Sequence, residues 1–303
     1  MSWFGPPSIL GECPRWDEQA QRLSWVDIDG GVLYIASLET EGLSVGLHPI
    51  EAPLSGAVLT DRPEETWLVA VGTGLVVWSA GAGMGAYHLV EANSAQCPLR
   101  LNEMAVDPAG RLWLGSMAYD WTNGAGSYFC VDLDGAVRRV LSGVTIANGV
   151  GWSPDGTRMY TTDTGPGNII VWIYDMNTGQ PSNPTLLIDS DSATGRPDGL
   201  AIDESGNIWS AIVGGQRLSC FTPSGKEIER LEVPAPNPTS CCFAGAERDR
   251  LVVTTARKHL TRRVLSAHPD AGRMWDFGRI GVRGMPQPRA AVRLDALRCP
   301  PAH

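Results

Sequence analysis

Six small polar or acidic side chains recur at regular spacing along the 303-residue chain, and these are the side chains that could carry chemistry. Each lies 10 or 11 residues before the start of a short apolar segment, and the six are Glu12, Ser55, Asn102, Asn148, Asp198 and Ser240. The five histidines lie elsewhere, at His48, His88, His259, His268 and His303. This argues against a histidine-based triad or a histidine zinc site. Any chemistry must therefore use carboxylates, amides and a metal.

The element that must position these side chains is a hairpin that occurs six times. Its clearest copy has a turn at Pro154-Asp155-Gly156, where Pro and Gly supply the φ values that the turn requires. The six copies span residues 16–28, 60–72, 107–116, 153–164, 203–213 and 245–257. Corresponding residues are 43 to 49 apart, and a strand-rich repeat of roughly 40 to 50 residues indicates one propeller blade per copy. The sequence predicts an all-β fold, a six-bladed β-propeller.

The repeat register places the six side chains at the start of the first strand of each blade. In a propeller, such positions surround one mouth of a central channel, so Glu12, Asn102, Asn148 and Asp198 are expected to converge there. The alternative is a channel lined by polar groups and water, with no catalytic role.

The six repeats account for nearly all of the chain, which predicts a single propeller domain over residues 1–303 with a divergent tail after about residue 285. Apolar residues at helical spacing are missing from any long stretch, so the helix content is expected to be low. Four tryptophans of the repeated strands are expected to pack between blades: Trp25, Trp67, Trp113 and Trp209. An open ring would leave unpaired sheet edges, so the segment before Glu12 is expected to pair with the last blade.

The net charge of −9 argues against nucleic acid and against an anionic membrane surface as partners. The basic cluster at residues 257–263 is interpreted as a solvated loop. We see neither a signal peptide nor an apolar run of about 18 residues that could span a membrane. Seven cysteines without a CxxC motif indicate reduced thiols and a cytoplasmic location. We expect a small-molecule partner and a monomer or weak oligomer.

Arg100 and Asn102 are two residues apart in a predicted strand and should point to the same face. An Arg and an Asn at a channel mouth suit hydrogen bonding to hydroxyls or to a carboxylate. The alternative is a salt bridge from Arg100 to a neighbouring blade.

An ordered set of short motifs runs from about residue 8 to about residue 285. The motifs are Gly11-Glu12-Cys13-Pro14-Arg15-Trp16, Arg100-Leu101-Asn102, Asp107-Pro108-Ala109-Gly110, Gly115-Ser116-Met117-Ala118, Ile146-Ala147-Asn148-Gly149, Pro197-Asp198-Gly199 and Thr239-Ser240-Cys241-Cys242-Phe243. In this set the chain resembles the regucalcin/gluconolactonase family of sugar-acid lactonases. The resemblance implies a six-bladed propeller that holds one divalent cation on the residues matching Glu12, Asn148 and Asp198. It also implies that the residues matching Arg100, Asn102 and Asp120 contact a sugar lactone.

Three oxygen ligands suit a hard cation such as Ca²⁺, Mg²⁺ or Mn²⁺. Ca²⁺ is the first choice, and Zn²⁺ and Fe²⁺ are further alternatives. The predicted reaction is metal-dependent hydrolysis of an aldonolactone to the free acid, and no covalent nucleophile is required. The resemblance makes Asp198 the general base, with Glu12 as the second choice. Two other functions stay open: a non-catalytic calcium-binding regulatory protein on the same propeller, and an interaction platform.

Overall fold

Six four-stranded antiparallel sheets form the described part of the chain. The computed structural model describes residues 1–37, 44–62, 65–89, 97–293 and 295. In blade order, the strands of the first three sheets are Gly11–Asp17, Arg22–Asp27, Val32–Ser37 and Val45–Pro49 (β2 to β5); Leu54–Leu59, Trp67–Val71, Gly74–Ser79 and Gly83–Leu89 (β6 to β9); and Leu99–Val106, Leu112–Ala118, Gly126–Val131 and Val137–Val144 (β10 to β13). The strands of the last three are Ala147–Trp152, Arg158–Asp163, Asn168–Asp175 and Gln180–Asp189 (β14 to β17); Arg196–Ile202, Ile208–Val213, Arg217–Phe221 and Glu227–Glu232 (β18 to β21); and Pro238–Ala244, Arg250–Thr255, Met274–Arg279 and Ser2–Phe4 (β22 to β24, then β1).

The first strand of each blade lies innermost. Every residue of β14 and β22 is buried, whereas the outermost strands β13 and β21 alternate between partly buried and exposed residues. The sheets and their arrangement confirm the predicted six-bladed β-propeller.

Helix is scarce, as expected. The described residues contain one α-helix, Arg262–Ala267, and one short 3₁₀ turn, Ser192–Thr194. Thr261 caps the α-helix, because its side chain accepts a hydrogen bond from the backbone N–H of Val264.

The ring closes where the N-terminal strand joins the last blade. Strand β1 runs antiparallel to β24, with Trp3 opposite Trp275. The Arg273 guanidinium lies 3.8 Å from the Trp3 ring centroid, and Phe4 packs edge-on against Trp25. The predicted pairing of the N-terminal segment with the last blade is therefore observed, and the sheet edge of blade 6 is covered.

The aromatic side chains of the repeated strands pack between neighbouring blades. Trp25, Trp67, Trp113 and Trp209 are at most 3% exposed, which confirms the predicted packing role. The turn of blade 4 is also as predicted: Gly156 has a φ of +68° and donates its backbone N–H to the Ser153 carbonyl at 2.8 Å.

The segment 284–293, which we call the C-terminal strap, crosses the end of the propeller at which the inner strands finish. We call this the lower end, and the end at which the inner strands begin is the upper end. The backbone N–H groups of the strap bond successively to the carbonyls of Arg248, Ile202, Leu59, Gly110 and Leu133, which belong to blades 6, 5, 2, 3 and 3 in that order. Its side chains reach blade 1, where Gln287 accepts the backbone N–H of Trp16 and Arg289 pairs with Asp17 at 2.6 Å. A cavity of about 340 Å³ lies between the strap and blade 4.

Two simple properties of the described chain bear on the earlier expectations. None of its helices is long and apolar enough to cross a membrane. Six cysteines of the described residues are thiols that form no disulfide bond: Cys13, Cys97, Cys130, Cys220, Cys241 and Cys242. Cys299 lies outside the described residues.

Candidate active site

Each of the six inner strands has a register irregularity at its upper end. The pairing shifts at Glu12/Arg15, Leu54/Gly56, Leu101/Glu103, Ala147/Val150, Pro197/Leu200 and Pro238/Ser240. An extra residue in one strand bends that strand and changes the direction of the local side chain. The six irregularities therefore fall at, or one residue from, the six polar positions that the repeat register selects.

Four of those six side chains line one cavity at the mouth of the central channel. The cavity has a volume of about 180 Å³, and its wall contains Glu12, Asn102, Asn148 and Asp198. All four residues are at most 8% exposed. The predicted convergence of these side chains at one mouth is thus observed.

The two serines lie outside the wall of this cavity. The Ser55 hydroxyl donates to the carbonyl of Leu101 on the adjacent inner strand. Ser240 lies against Gly199, where a Cβ would come within 2.4 Å of the Ser240 Cβ. In blade 6 the residue in the cavity wall is Thr239, one position earlier, because the irregularity between Pro238 and Ser240 places Thr239 at the bulge.

A chain of hydrogen bonds joins four cavity residues and fixes their orientation. Arg100 Nη1 donates to Asn102 Oδ1 at 2.6 Å and to the carbonyl of Leu101 at 2.9 Å. Asn102 Nδ2 donates to Asn148 Oδ1 at 3.0 Å, and Asn148 Nδ2 donates to Thr164 Oγ1 at 2.9 Å. Thr164 in turn donates to the carbonyl of Pro197, next to Asp198.

This chain answers the two alternatives for Arg100. The side chains of Arg100 and Asn102 share a face, as predicted, and both line the cavity. Among the described residues, Arg100 has no carboxylate within 4.0 Å, so a salt bridge to a neighbouring blade is not formed there.

Three buried carboxyl groups influence one another in this region: Glu12 and Asp198 line the cavity, and Glu103 follows Asn102 on the neighbouring inner strand. Burial, followed by the charges of Asp198 and Glu103, raises the pKa of Glu12 well above its usual range. Burial and then the charge of Glu103 raise the pKa of Asp198 in the same way. Burial also raises the pKa of Glu103 to about 7. The three groups therefore resist simultaneous ionisation unless a positive charge joins them.

The donor set fits a hard divalent cation. Asp198 Oδ1 is buried and has no hydrogen-bond partner among the described residues, so this oxygen is available as a ligand. Glu12 supplies a second carboxylate, and Asn148 Oδ1 keeps a lone pair beyond the one that accepts from Asn102. Clusters of three or more His, Cys, Asp or Glu with metal-site geometry are missing from the described chain, as expected for a set in which one ligand is an amide.

Two aromatic rings from distant loops meet at the mouth of the cavity. Trp121, after strand β11, and His259, after strand β23, are perpendicular with their centroids 5.8 Å apart. Both line the cavity, and both have positive φ values, +60° and +63°. The repeat register could not find them because they lie in loops outside the hairpins. The conformational signal, a positive φ at a non-glycine residue, exists only in the structure.

Two basic residues also belong to the cavity wall, and one of them corrects an earlier interpretation. The cluster at residues 257–263 is not simply a solvated loop, since Lys258 lines the cavity and pairs with Asp29 at 2.7 Å. The second, Arg196, is the first residue of β18.

Asp120 is not brought into the cavity wall. The residue is exposed, and its Oδ1 accepts hydrogen bonds from the hydroxyl and backbone N–H of Thr122 at 2.7 and 3.0 Å. These bonds lower the pKa of Asp120. The carboxylate therefore shapes the loop that presents Trp121 and lies outside the described wall of the cavity, and its contact with a sugar stays a prediction.

The fold and the described geometry together define a six-bladed β-propeller with an oxygen-rich cavity at one end of its central channel. The chain belongs to the SMP-30/gluconolactonase/LRE-like family, whose model matches residues 10–257. It is 35% identical over 249 residues to the pentonolactonase XacC of Haloferax volcanii, covering 82% of this chain and 81% of that protein. It is 30% identical over 284 residues to the 6-deoxy-6-sulfogluconolactonase of Pseudomonas putida, covering 93% and 95%. Among solved structures, the calcium-binding protein regucalcin from Agrobacterium tumefaciens has a TM-score of 0.84 at 30% identity, covering 95% of each chain.

Proposed function

We propose that this protein hydrolyses a sugar-acid lactone to the free aldonic acid with the help of one divalent cation. The observation that carries the proposal is the convergence of the buried residues Glu12, Asn148 and Asp198 in the wall of one cavity of about 180 Å³. The pentonolactonase and sulfogluconolactonase relatives support the reaction class. The similarity to a protein described as calcium-binding supports Ca²⁺ as the first cation to test.

Glu12, Asn148 and Asp198 would hold the cation through two carboxylates and one amide oxygen. A cation bound there supplies electrophilic stabilisation for a carbonyl oxygen that becomes negative during the reaction. The protein contributes the alignment of the amide: Thr164 and Asn102 bond to both ends of the Asn148 side chain, so its oxygen stays directed away from Thr164.

Asp198 is assigned as the general base. A water oxygen bonds to the lactone carbonyl carbon while its proton passes to the Asp198 carboxylate oxygen that would not hold the cation. The ring C–O bond then breaks, and the same proton passes to the departing ring oxygen, which becomes the hydroxyl of the product acid. Glu12 is the second choice, but one of its oxygens already accepts the backbone N–H of Cys13 at 3.3 Å.

Arg100 and Asn102 are assigned to substrate binding and alignment. Arg100 Nη1 is used within the protein, whereas Nε and Nη2 make no hydrogen bond to any described residue and can donate to sugar oxygens. Trp121 and His259 cover part of the mouth and limit the access of bulk water. Asp120 is proposed to act on the sugar indirectly, through the loop that carries Trp121.

A second candidate function is calcium binding without catalysis, which the resemblance to regucalcin favours. One experiment separates the two functions. Five- and six-membered aldonolactones are assayed by pH-stat with protein treated with a chelator and then supplied with Ca²⁺, Mg²⁺, Mn²⁺ or Zn²⁺, with Asp198→Asn as the matched inactive control.

Turnover that disappears on chelation and returns on addition of metal supports the proposed reaction. Calcium binding detected by calorimetry without turnover of any lactone would support the second function. Turnover that is unaffected by the chelator would contradict the proposed role of the cation.

A further inference from the structure

Arg196 lies at the rim of the cavity, above Asp198 on the same strand. The two residues are two positions apart in β18, and both are in the cavity wall. Arg196 pairs with Val213 and precedes the irregularity between Pro197 and Leu200, so it is held by regular sheet hydrogen bonds. Two residues of strand span roughly 6.6 Å, which sets the height of Arg196 above the proposed reacting centre.

The charge of Arg196 is not compensated by the protein. Within the described ranges, its guanidinium makes no hydrogen bond and has no carboxylate within 4.0 Å. Two other cations of the same wall do have partners within the protein, since Lys258 forms an ion pair with Asp29 and the Arg100 guanidinium donates to Asn102 Oδ1. Since no described residue uses the guanidinium of Arg196, it is available to an anionic ligand in the cavity.

The position of Arg196 matches the far end of a sugar lactone. When the lactone carbonyl lies beside Asp198, a substituent on the terminal sugar carbon stands on the other side of the sugar ring. A cation roughly 6.6 Å higher along the same strand meets a group at that end. A neutral hydroxymethyl group makes no use of a full positive charge, whereas a planar guanidinium binds phosphate, sulfonate and carboxylate oxygens in a bidentate manner.

We propose that the preferred substrate is an aldonolactone with an anionic group on its terminal carbon, and that Arg196 is the residue that binds this group. This inference rests on the proposed lactonase function and narrows its substrate class. It assigns Arg196 a specificity role and no role in the reaction at the carbonyl.

The test compares a matched pair of substrates on matched variants. Glucono-1,5-lactone and its 6-phosphate are assayed in parallel with wild type, Arg196→Ala, Arg196→Lys and Lys226→Ala. Lys226 lies in the turn between β20 and β21 of the same blade, at the opposite end, so its loss removes one charge without changing the cavity. A hydrogen bond to a charged group is worth about 1.5–3 kcal/mol, which corresponds to roughly 10- to 100-fold.

We expect wild type to prefer the 6-phosphate by at least tenfold in kcat/KM, and Arg196→Ala to lose that preference through an increase in KM for the phosphorylated lactone alone. Arg196→Lys should keep part of the preference, and Lys226→Ala all of it. Turnover of the neutral lactone serves as the folding control for each variant. A sulfonate or carboxylate at the same carbon then shows which anion fits best.

Equal use of the two lactones by wild type, or an equal loss on both substrates in Arg196→Ala, would overturn the inference while leaving the lactonase function standing. If neither lactone is hydrolysed, the lactonase function fails, and calorimetry with 6-phosphogluconate and gluconate still tests Arg196. Tighter binding of the phosphorylated acid that disappears in Arg196→Ala would then support anion binding, and equal binding of both acids would reject it.

Discussion

Arg100 Nη1 lies 2.6 Å from Asn102 Oδ1, and this contact determines the direction of the Asn102 and Asn148 side-chain amides. A guanidinium only donates hydrogen bonds, so the oxygen of Asn102 must face Arg100 and its nitrogen must face Asn148. The nitrogen of Asn102 then requires the oxygen of Asn148, which leaves the Asn148 nitrogen for Thr164. One buried arginine therefore orients a proposed metal ligand two residues further along the hydrogen-bonded chain.

Replacing Arg100 should accordingly affect the cation as well as the sugar. Arg100→Ala leaves Asn102 without the donor that fixes it, so we expect a higher KM for the lactone and a Kd for Ca²⁺ that is several-fold weaker. Calorimetric Kd values and steady-state kinetics measure the two effects separately, with Lys226→Ala as the charge control. An increase in KM with an unchanged Kd for the cation would restrict Arg100 to substrate binding.

Asn148 is expected to act only as a ligand, because an amide accepts no proton near neutral pH. Asn148→Ala should weaken cation binding, and excess cation should restore part of the lactonase rate. The measurement is the rate as a function of Ca²⁺ concentration. A rate that stays low at saturating Ca²⁺, with the cation bound, would give Asn148 a role beyond ligation.

Asp198 is expected to act both as a ligand and as the base. Asp198→Asn keeps one oxygen donor but removes proton acceptance, so kcat at saturating cation should fall by about 10²- to 10⁴-fold. Parallel measurement of cation binding shows whether the site is filled. Recovery of kcat to within a few-fold of wild type would remove Asp198 from the base role and make Glu12 the residue to test next.

The stability of the chelated protein should fall as the pH rises. The pKa of Glu103 is raised from 4.5 to about 7 in the folded protein, so the protonated form is favoured by folding. The stability contribution of this group is complete below about pH 4.5 and is lost as the pH rises through about 7. The raised pKa values of Glu12 and Asp198 act in the same direction. Melting temperatures with chelator from pH 4.5 to 8 measure the loss, and Glu103→Gln should make the profile flatter.

Added cation should offset this loss. A ligand at a hundredfold excess over its Kd stabilises the folded state by about 2.7 kcal/mol. Because binding requires ionised carboxylates, the gain in melting temperature on adding Ca²⁺ should be larger at pH 8 than at pH 5. A gain that is independent of pH would argue that the cation does not contact Glu12 or Asp198.

A large part of this architecture could be predicted from the regular spacing of the repeated hairpins. Hairpins 43 to 49 residues apart predict six blades, and the same register selects Glu12, Asn102, Asn148 and Asp198. The repeat register depends on counting residues. In blade 6 it selects Ser240, whereas the bulge places the preceding residue, Thr239, in the cavity wall. Loops follow no such period. The approach of Trp121 to His259, 138 positions later in the chain, arises from ring closure and could not be predicted from either local sequence.

The C-terminal strap has a consequence for how the propeller comes apart. A ring of blades joined only to their neighbours can lose one blade at a time, since each contact is local. Here the segment 284–293 bonds to blades that are not adjacent to one another, from Ile202 in blade 5 to Leu133 in blade 3. Unfolding of any of these blades must therefore release the strap from the rest, which favours a single cooperative melting transition over a stepwise one.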